Sequence, residues 1–198
     1  MDALSHLVDA LRCLPGVGPK SAQRMVFYLL QHQRQRGSHL AKCLEIAMRS
    51  IGHCTSCNNY TENERCLLCL NMHRDKSIVC IVETPADITA IEQTNAYQGL
   101  YYVLMGKISP LDGIGPEDIA LDGLRQHIQK GNIQEVILAL SPTLEGQTTI
   151  HFIQALLQPF DLKISQLAHG IPAGGELACL DANTIGSALR NRGALSIL

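Results

Sequence analysis

The chain lacks several features that would assign it quickly to a class. Tryptophan is absent from its 198 residues. No apolar run approaches the ~18 residues that a membrane-spanning helix requires. The first residues, Met1-Asp2-Ala3-Leu4-Ser5-His6, carry no basic cluster followed by a hydrophobic stretch, so no secretory signal is expected and the predicted location is the cytoplasm. There is no internal repeat, no low-complexity segment, and no G-x-x-x-x-G-K-[ST] loop for nucleotide phosphates. Eight cysteines without an export signal do not suggest a disulfide framework, because the cytosol keeps thiols reduced.

Strong net charge is also missing, the formal total being −2, yet the charge is unevenly placed. Residues 1–50 carry seven basic and three acidic side chains, a net of +4, and residues 51–76 balance. Residues 77–198 hold six basic and twelve acidic ones, a net of −6. The basic end therefore faces a polyanion in this reading, and the acidic end faces something else.

Apolar residues make up 46% of the chain, enough for a substantial core. Residues 3–52 read as helical. Leu4, Leu7, Val8 and Leu11 recur at helical spacing, Pro15-Gly16-Val17-Gly18-Pro19 interrupts, and a second helix runs from about residue 21 to 34. Ser38 is expected to cap a third, with Gly52 as its stop. From residue 77 the pattern changes to strands near 77–83, 101–105, 135–140 and 162–167. Helices are expected from about 85, over 116–130 and over 146–158. This alternation predicts a mostly parallel sheet flanked by helices. Thr84-Pro85-Ala86-Asp87 has the N-cap, first-position proline and first-turn acid of a helix start.

Four cysteines are clustered: Cys54-Thr55-Ser56-Cys57, eight polar-rich residues, then Cys66-Leu67-Leu68-Cys69. A two-residue spacer lets both thiolates of a pair reach one tetrahedral ion. The loop between the pairs cannot build a core, so metal ligation, worth about 10 kcal/mol, must order it. One structural zinc ion per chain is the expected occupant. Four thiolates also suit an iron–sulfur cluster, whereas redox chemistry needs one pair and catalytic zinc keeps an open position. Cys13, Cys43, Cys80 and Cys179 lie among apolar neighbours and read as small core residues. His53 and His73 are surplus to the ligand count.

Between the first two helices, Leu14-Pro15-Gly16-Val17-Gly18-Pro19-Lys20-Ser21-Ala22 forms a tight turn. Gly16 and Gly18 permit backbone geometries that a side chain blocks and let another backbone approach closely. The helix that follows opens with free N–H groups, a ready phosphate site, and Lys20 and Arg24 share one of its faces. This helix-hairpin-helix pattern points to sequence-independent DNA-backbone binding through Gly16, Gly18, Lys20 and Arg24. An ordinary helix turn is the plainer alternative.

Glu83 ends the first strand, and Glu145 follows the strand at 135–140 within Ser141-Pro142-Thr143-Leu144-Glu145-Gly146. Both belong at the carboxyl edge of an open α/β sheet. Two readings stay open on the residues alone: a Mg²⁺ site for phosphodiester chemistry, or two first-turn acids of ordinary helices.

Taken in order, the chain resembles the bacterial RecR family of recombination mediators across essentially its whole length. The resemblance rests on Leu11-Arg-Cys-Leu-Pro-Gly-Val-Gly-Pro-Lys-Ser-Ala-Gln-Arg24, the clustered cysteines and Val103-Leu-Met-Gly106. It rests equally on Ser109-Pro-Leu-Asp-Gly-Ile-Gly-Pro116 and Ala168-His-Gly-Ile-Pro-Ala-Gly-Gly-Glu176. It implies an α+β multidomain chain: a helix-hairpin-helix region (1–53), a four-cysteine zinc finger (54–76), a Toprim domain (77–170) and a C-terminal oligomerisation segment (171–198). It implies a non-enzymatic homo-oligomer, a dimer or tetrameric ring, that clamps single-stranded, duplex or gapped DNA. Acting with RecO and, in some bacteria, RecF, such a clamp loads RecA.

Catalytic Toprim proteins carry Asp-x-Asp where this chain has Ser141-Pro142-Thr143, and the RecR family favours Asn at position 141, from which this chain also departs. Glu83 and Glu145 then fit a partner-docking surface better than a Mg²⁺ site. A phosphodiester-cleaving enzyme and a protein-only scaffold are the competing functions. The zinc finger, placed between the basic and acidic parts, is expected to fix the angle between them.

Overall fold

The computed structural model describes residues 2–168, 170–172 and 174–191. The chain falls into two compact units, one ending at Ile51 and the other beginning at Gly52.

The first unit is helical throughout: α1 (Ala3–Leu11), α2 (Pro19–His32) and α3 (Arg34–Ser50). Asp2 caps α1 by accepting from the Ser5 N–H at 2.8 Å. Gln33 alone separates α2 from α3, so α3 starts four residues before the cap expected at Ser38. Gly37 lies inside α3, its N–H donating to the Gln33 carbonyl at 2.8 Å, and a Cβ there would make ordinary contact with the Leu29 side chain at 3.7 Å, so this glycine does not break the helix. Among the described residues of this unit only Ala22 and Val26 are fully buried, while Leu4, Leu7, Leu14, Leu40, Leu44 and Met48 are exposed.

The second unit opens with a small module. The hairpin β1 (Gly52–His53) and β2 (Tyr60–Thr61) pairs antiparallel, and the one-turn helix α4 (Leu67–Leu70) follows. Then come β3 (Asp75–Val82), α5 (Pro85–Gln93), β4 (Gly99–Val103), α6 (Leu121–Lys130), β5 (Glu135–Ala139), α7 (Leu144–Leu157) and β6 (Lys163–Gln166). A 3₁₀ turn (Leu177–Cys179) and α8 (Ala182–Arg190) complete the described chain. The expected C-terminal segment 171–198 lies in part, at 173 and 192–198, outside the described residues, as does His169.

The four strands are all parallel, in the order β4-β3-β5-β6. The apolar runs of β3 and β4 reflect burial on both faces, whereas β5 alternates and β6 has no fully buried residue. One face packs Val79, Ile81, Val136 and Leu138 against Leu124 and Ile128 of α6 and Ile150 and Ile153 of α7. The other packs Cys80, Val82, Tyr101 and Val103 against Ile88 of α5 and Leu68 of the cysteine module. The α5 start is as expected, with Pro85 in the first turn and Asp87 accepting from the Thr84 N–H at 2.7 Å. By contrast, α6 begins at Leu121 rather than 116. Asp118 instead accepts from the Gly115 N–H at 2.8 Å, and an acid bonded to a preceding amide favours a turn.

Of the four scattered cysteines, only Cys80 is a core residue; Cys13, Cys43 and Cys179 are exposed. For Cys13 and Cys43 apolar neighbours in sequence mislead because the first unit leaves much of its own apolar surface open.

Candidate nucleic-acid interface and metal centre

In the first unit the turn between α1 and α2 is closed by the Val17 N–H donating to the Leu14 carbonyl at 3.1 Å. Gly16 sits at φ +79°, the left-handed region that a Cβ disfavours. Gly18 occupies the N-cap of α2 and offers no side chain to the first-turn amides, and Pro19 follows within that turn. A Cβ at either glycine would meet nothing within 4 Å, so the surface above the turn is open for another molecule. Lys20 and Arg24 lie one turn apart, both exposed, and together line an open groove of about 370 Å³ along α2. Among the described residues neither forms an ion pair, whereas Arg12 pairs with Asp9 and Arg49 with Glu45, each at 2.8 Å. No acidic residue occurs within α2. The structure therefore brings together all four residues singled out in the turn.

In the second unit Cys54, Cys57, Cys66 and Cys69 converge, with all four sulfurs within 4.8 Å of one another and all four residues buried. The geometry fits a tetrahedral ion, since four thiolates at about 2.3 Å from one centre lie roughly 3.8 Å apart. Cys57 and Cys66 sulfurs are 3.5 Å apart, and the Cys66 N–H points at the Cys54 sulfur at 3.3 Å. Packing the thiols together resists their ionising as a group: the Cys57 thiol is pushed up by its hydrogen bond to Cys69 and by burial, and Cys66 is raised by burial, whereas Cys69 is lowered to about 6, chiefly by its hydrogen bond with Cys57. A bound cation reverses this preference by deprotonating its ligands. His53 and His73 stay outside the cluster; the His53 ring meets the Tyr60 ring at 5.1 Å, tilted by 45°.

The module is fastened to the sheet. The Val103 N–H donates to the Cys57 carbonyl at 2.9 Å, and the Asn58 side-chain amide donates to the Val103 carbonyl at 2.8 Å. Asn58 takes φ 62°, which its short polar side chain tolerates. Beyond the module, buried Arg74 donates to the Gly99 carbonyl at 2.7 Å, pairs with Glu92, and lies 5.5 Å from the centre of the Tyr101 ring. Tyr101 donates to the other Glu92 oxygen at 2.6 Å. The sequence gives no sign of this cluster, since its members are 18 and 27 residues from Arg74 and share no motif.

The strand order places a switch point between β3 and β5, whose connections depart toward opposite sides. In open α/β sheets this crevice is where sites form. Glu83 stands here, accepting from the Ser141 N–H at 2.7 Å. The Thr143 hydroxyl caps α7 by accepting from the Gly146 N–H at 3.2 Å. Lys107, unforeseen in the sequence, reaches Thr143 at 3.5 Å and Glu145 at 3.6 Å. The Glu145 carboxylate is held below its ordinary range by its own backbone amide and the Thr143 hydroxyl, with Lys107 adding to the effect. One carboxylate thus ties two loops together and the other faces an ammonium group. A hard dication prefers several free oxygen ligands, and among the described residues only the four cysteines form a group of three or more suited to a metal.

Residues 4–48 match the family model "RecR, helix-hairpin-helix", and residues 77–168 match the model "Toprim domain". Recombination protein RecR of Legionella pneumophila (strain Corby) is 67% identical over 197 residues, covering 100% of this chain and 100% of that protein. Recombination protein RecR of L. pneumophila subsp. pneumophila (strain Philadelphia 1) is also 67% identical, with 100% and 99% covered.

Proposed function

The chain belongs to the RecR family of recombination proteins, and from that premise we propose that it is a DNA-binding mediator that does not cleave DNA. It acts as an oligomeric clamp. With RecO, and RecF where present, it helps load RecA onto single-stranded or gapped DNA. Gly16, Gly18, Lys20 and Arg24 form its DNA-backbone contact. One zinc ion sits among Cys54, Cys57, Cys66 and Cys69 and orders the small module. Glu83 and Glu145 contribute to a partner-facing surface on the acidic unit.

The observation that carries the DNA contact is the pair Lys20 and Arg24, exposed, unmatched by any acid on α2, beside an open glycine turn. Support for assembly comes from the first unit, where many large apolar side chains remain exposed around two fully buried ones. A second copy of the chain would cover such a surface. Support for the absence of cleavage comes from the crevice, where Ser141, Pro142 and Thr143 stand in the place of the acids that an enzyme would need.

Salt titration of DNA binding tests the contact. Each neutralised phosphate contributes a slope of about −0.9 in log K against log salt on duplex DNA. The variant Lys20→Ala with Arg24→Ala should weaken binding to every sequence alike and make the slope shallower by roughly 2. An unchanged slope would sink the assignment. Plasmid nicking that needs a divalent metal and disappears in Glu83→Ala would restore the enzyme reading.

A further inference from the structure

The ridge of α2 that carries Lys20 and Arg24 continues, at the same four-residue spacing, to Tyr28 and His32. Residues four apart rise about 6 Å along a helix and lie nearly above one another. All four line the same open groove. Ala22 and Val26, the buried residues of this helix, lie on another face, so the core of the unit has no use for the Tyr28 ring. The residue is 54% exposed, and its ring meets the His32 ring at 5.5 Å, tilted by 50°. A large aromatic side chain in water, continuing a line of two cations, suits an occupant that is anionic along one edge and flat along another.

We propose that Tyr28, flanked by His32, is a stacking platform for an unstacked base of single-stranded DNA whose phosphates lie against Lys20 and Arg24. The proposal rests on the DNA-contact reading above and adds to it a means of telling strand types apart. In a duplex the base faces are already stacked on their neighbours, and only the phosphates can meet this ridge. In a single strand or a gap each base offers a free face, and an aromatic ring accepts any of the four. A second copy of the chain is the poorer occupant. Two α2 ridges facing each other would oppose Lys20 and Arg24 to the same cations, without an acid in either helix to pair with them.

The experiment compares the full-length protein with Tyr28→Ala and Tyr28→Phe by fluorescence anisotropy. The probes are a labelled oligothymidylate, an oligomer of equal length whose central nucleotides are abasic, and a duplex of the same length. Tyr28→Ala should bind oligothymidylate about 5- to 150-fold more weakly, the range expected for loss of one base–aromatic stack. Its salt slope and its duplex affinity should be unchanged, and it should match the unaltered protein on the abasic oligomer. Tyr28→Phe, which keeps the ring, should bind as the unaltered protein does. Equal weakening on all three probes, no weakening on oligothymidylate, or a changed molecular mass of Tyr28→Ala in solution would each overturn the proposal. Lys20→Ala with Arg24→Ala run alongside separates the two levels. If it lowers the salt slope while Tyr28→Ala does nothing, the backbone contact stands and the platform falls. If it changes neither affinity nor slope, the DNA-contact reading itself falls.

Discussion

Gly146 occupies the first turn of α7, where the helix passes so close to the preceding loop that an added Cβ would overlap the Ser141 carbonyl oxygen. Backbone cannot yield as a flexible side chain can, so Gly146→Ala should destabilise the second unit by about 1–3 kcal/mol, read as a lower urea midpoint. An unchanged midpoint would show that the loop moves freely, and with it the hydrogen bond from Ser141 to Glu83. A buried imidazole gives a second prediction at this scale. His127 is held below the ordinary histidine range by burial first and by the nearby Arg65 charge second. Its Nε2 is buried without a hydrogen-bond partner. The unfolded chain therefore takes up this proton more readily than the folded one, and stability falls as pH drops through about 6.5 toward the lowered value. With zinc saturating, His127→Gln should flatten the loss of stability between about pH 7 and 5. A slope identical to that of the unaltered protein would contradict this.

Among the elements, the cysteine module shows what a sequence carries and what it conceals. Its ligand spacing is local, so the convergence of Cys54, Cys57, Cys66 and Cys69 is legible in the sequence alone. Its attachment to β4 is not, because Asn58 and Val103 are 45 residues apart and meet only once the sheet exists. The same division holds elsewhere. The strands β3, β4 and β5 are legible from their apolar runs, and the start of α5 from Thr84, Pro85 and Asp87. The start of α3 and the α6 boundary are not, since each depends on a hydrogen bond that no motif announces, from the Gly37 N–H to the Gln33 carbonyl and from the Gly115 N–H to the Asp118 carboxylate. Lys107 escapes notice because nothing in a sequence places it beside Glu145, and the Tyr28 ridge because core aromatics show the same helical spacing. With Leu68 of α4 packed against the Val82 and Tyr101 face of the sheet, the module and the sheet share one core. Cys57→Ser should therefore abolish zinc binding and lower the melting temperature of the second unit, while DNA binding through the contact proposed on α2 should remain. A stable, metal-free variant with selective loss of DNA binding would contradict this account.

On the scale of the whole molecule, charge and burial divide the work. The first 50 residues are net basic and leave apolar side chains such as Leu40, Leu44 and Met48 open, and the remainder is net acidic around a two-faced sheet. No helix among the described residues is long and apolar enough to cross a membrane. A helical unit with two fully buried residues has little core of its own, so assembly is the natural source of its missing burial. A charged substitution such as Leu44→Glu should shift the protein toward smaller species by obstructing that burial. The clamp is the central claim, and it is tested most directly by the mass of the unaltered protein in solution, measured with and without a long single-stranded DNA. A multiple of the chain mass, retained or increased on DNA, is the expected result; a monomer that stays monomeric in both conditions would rule the clamp out.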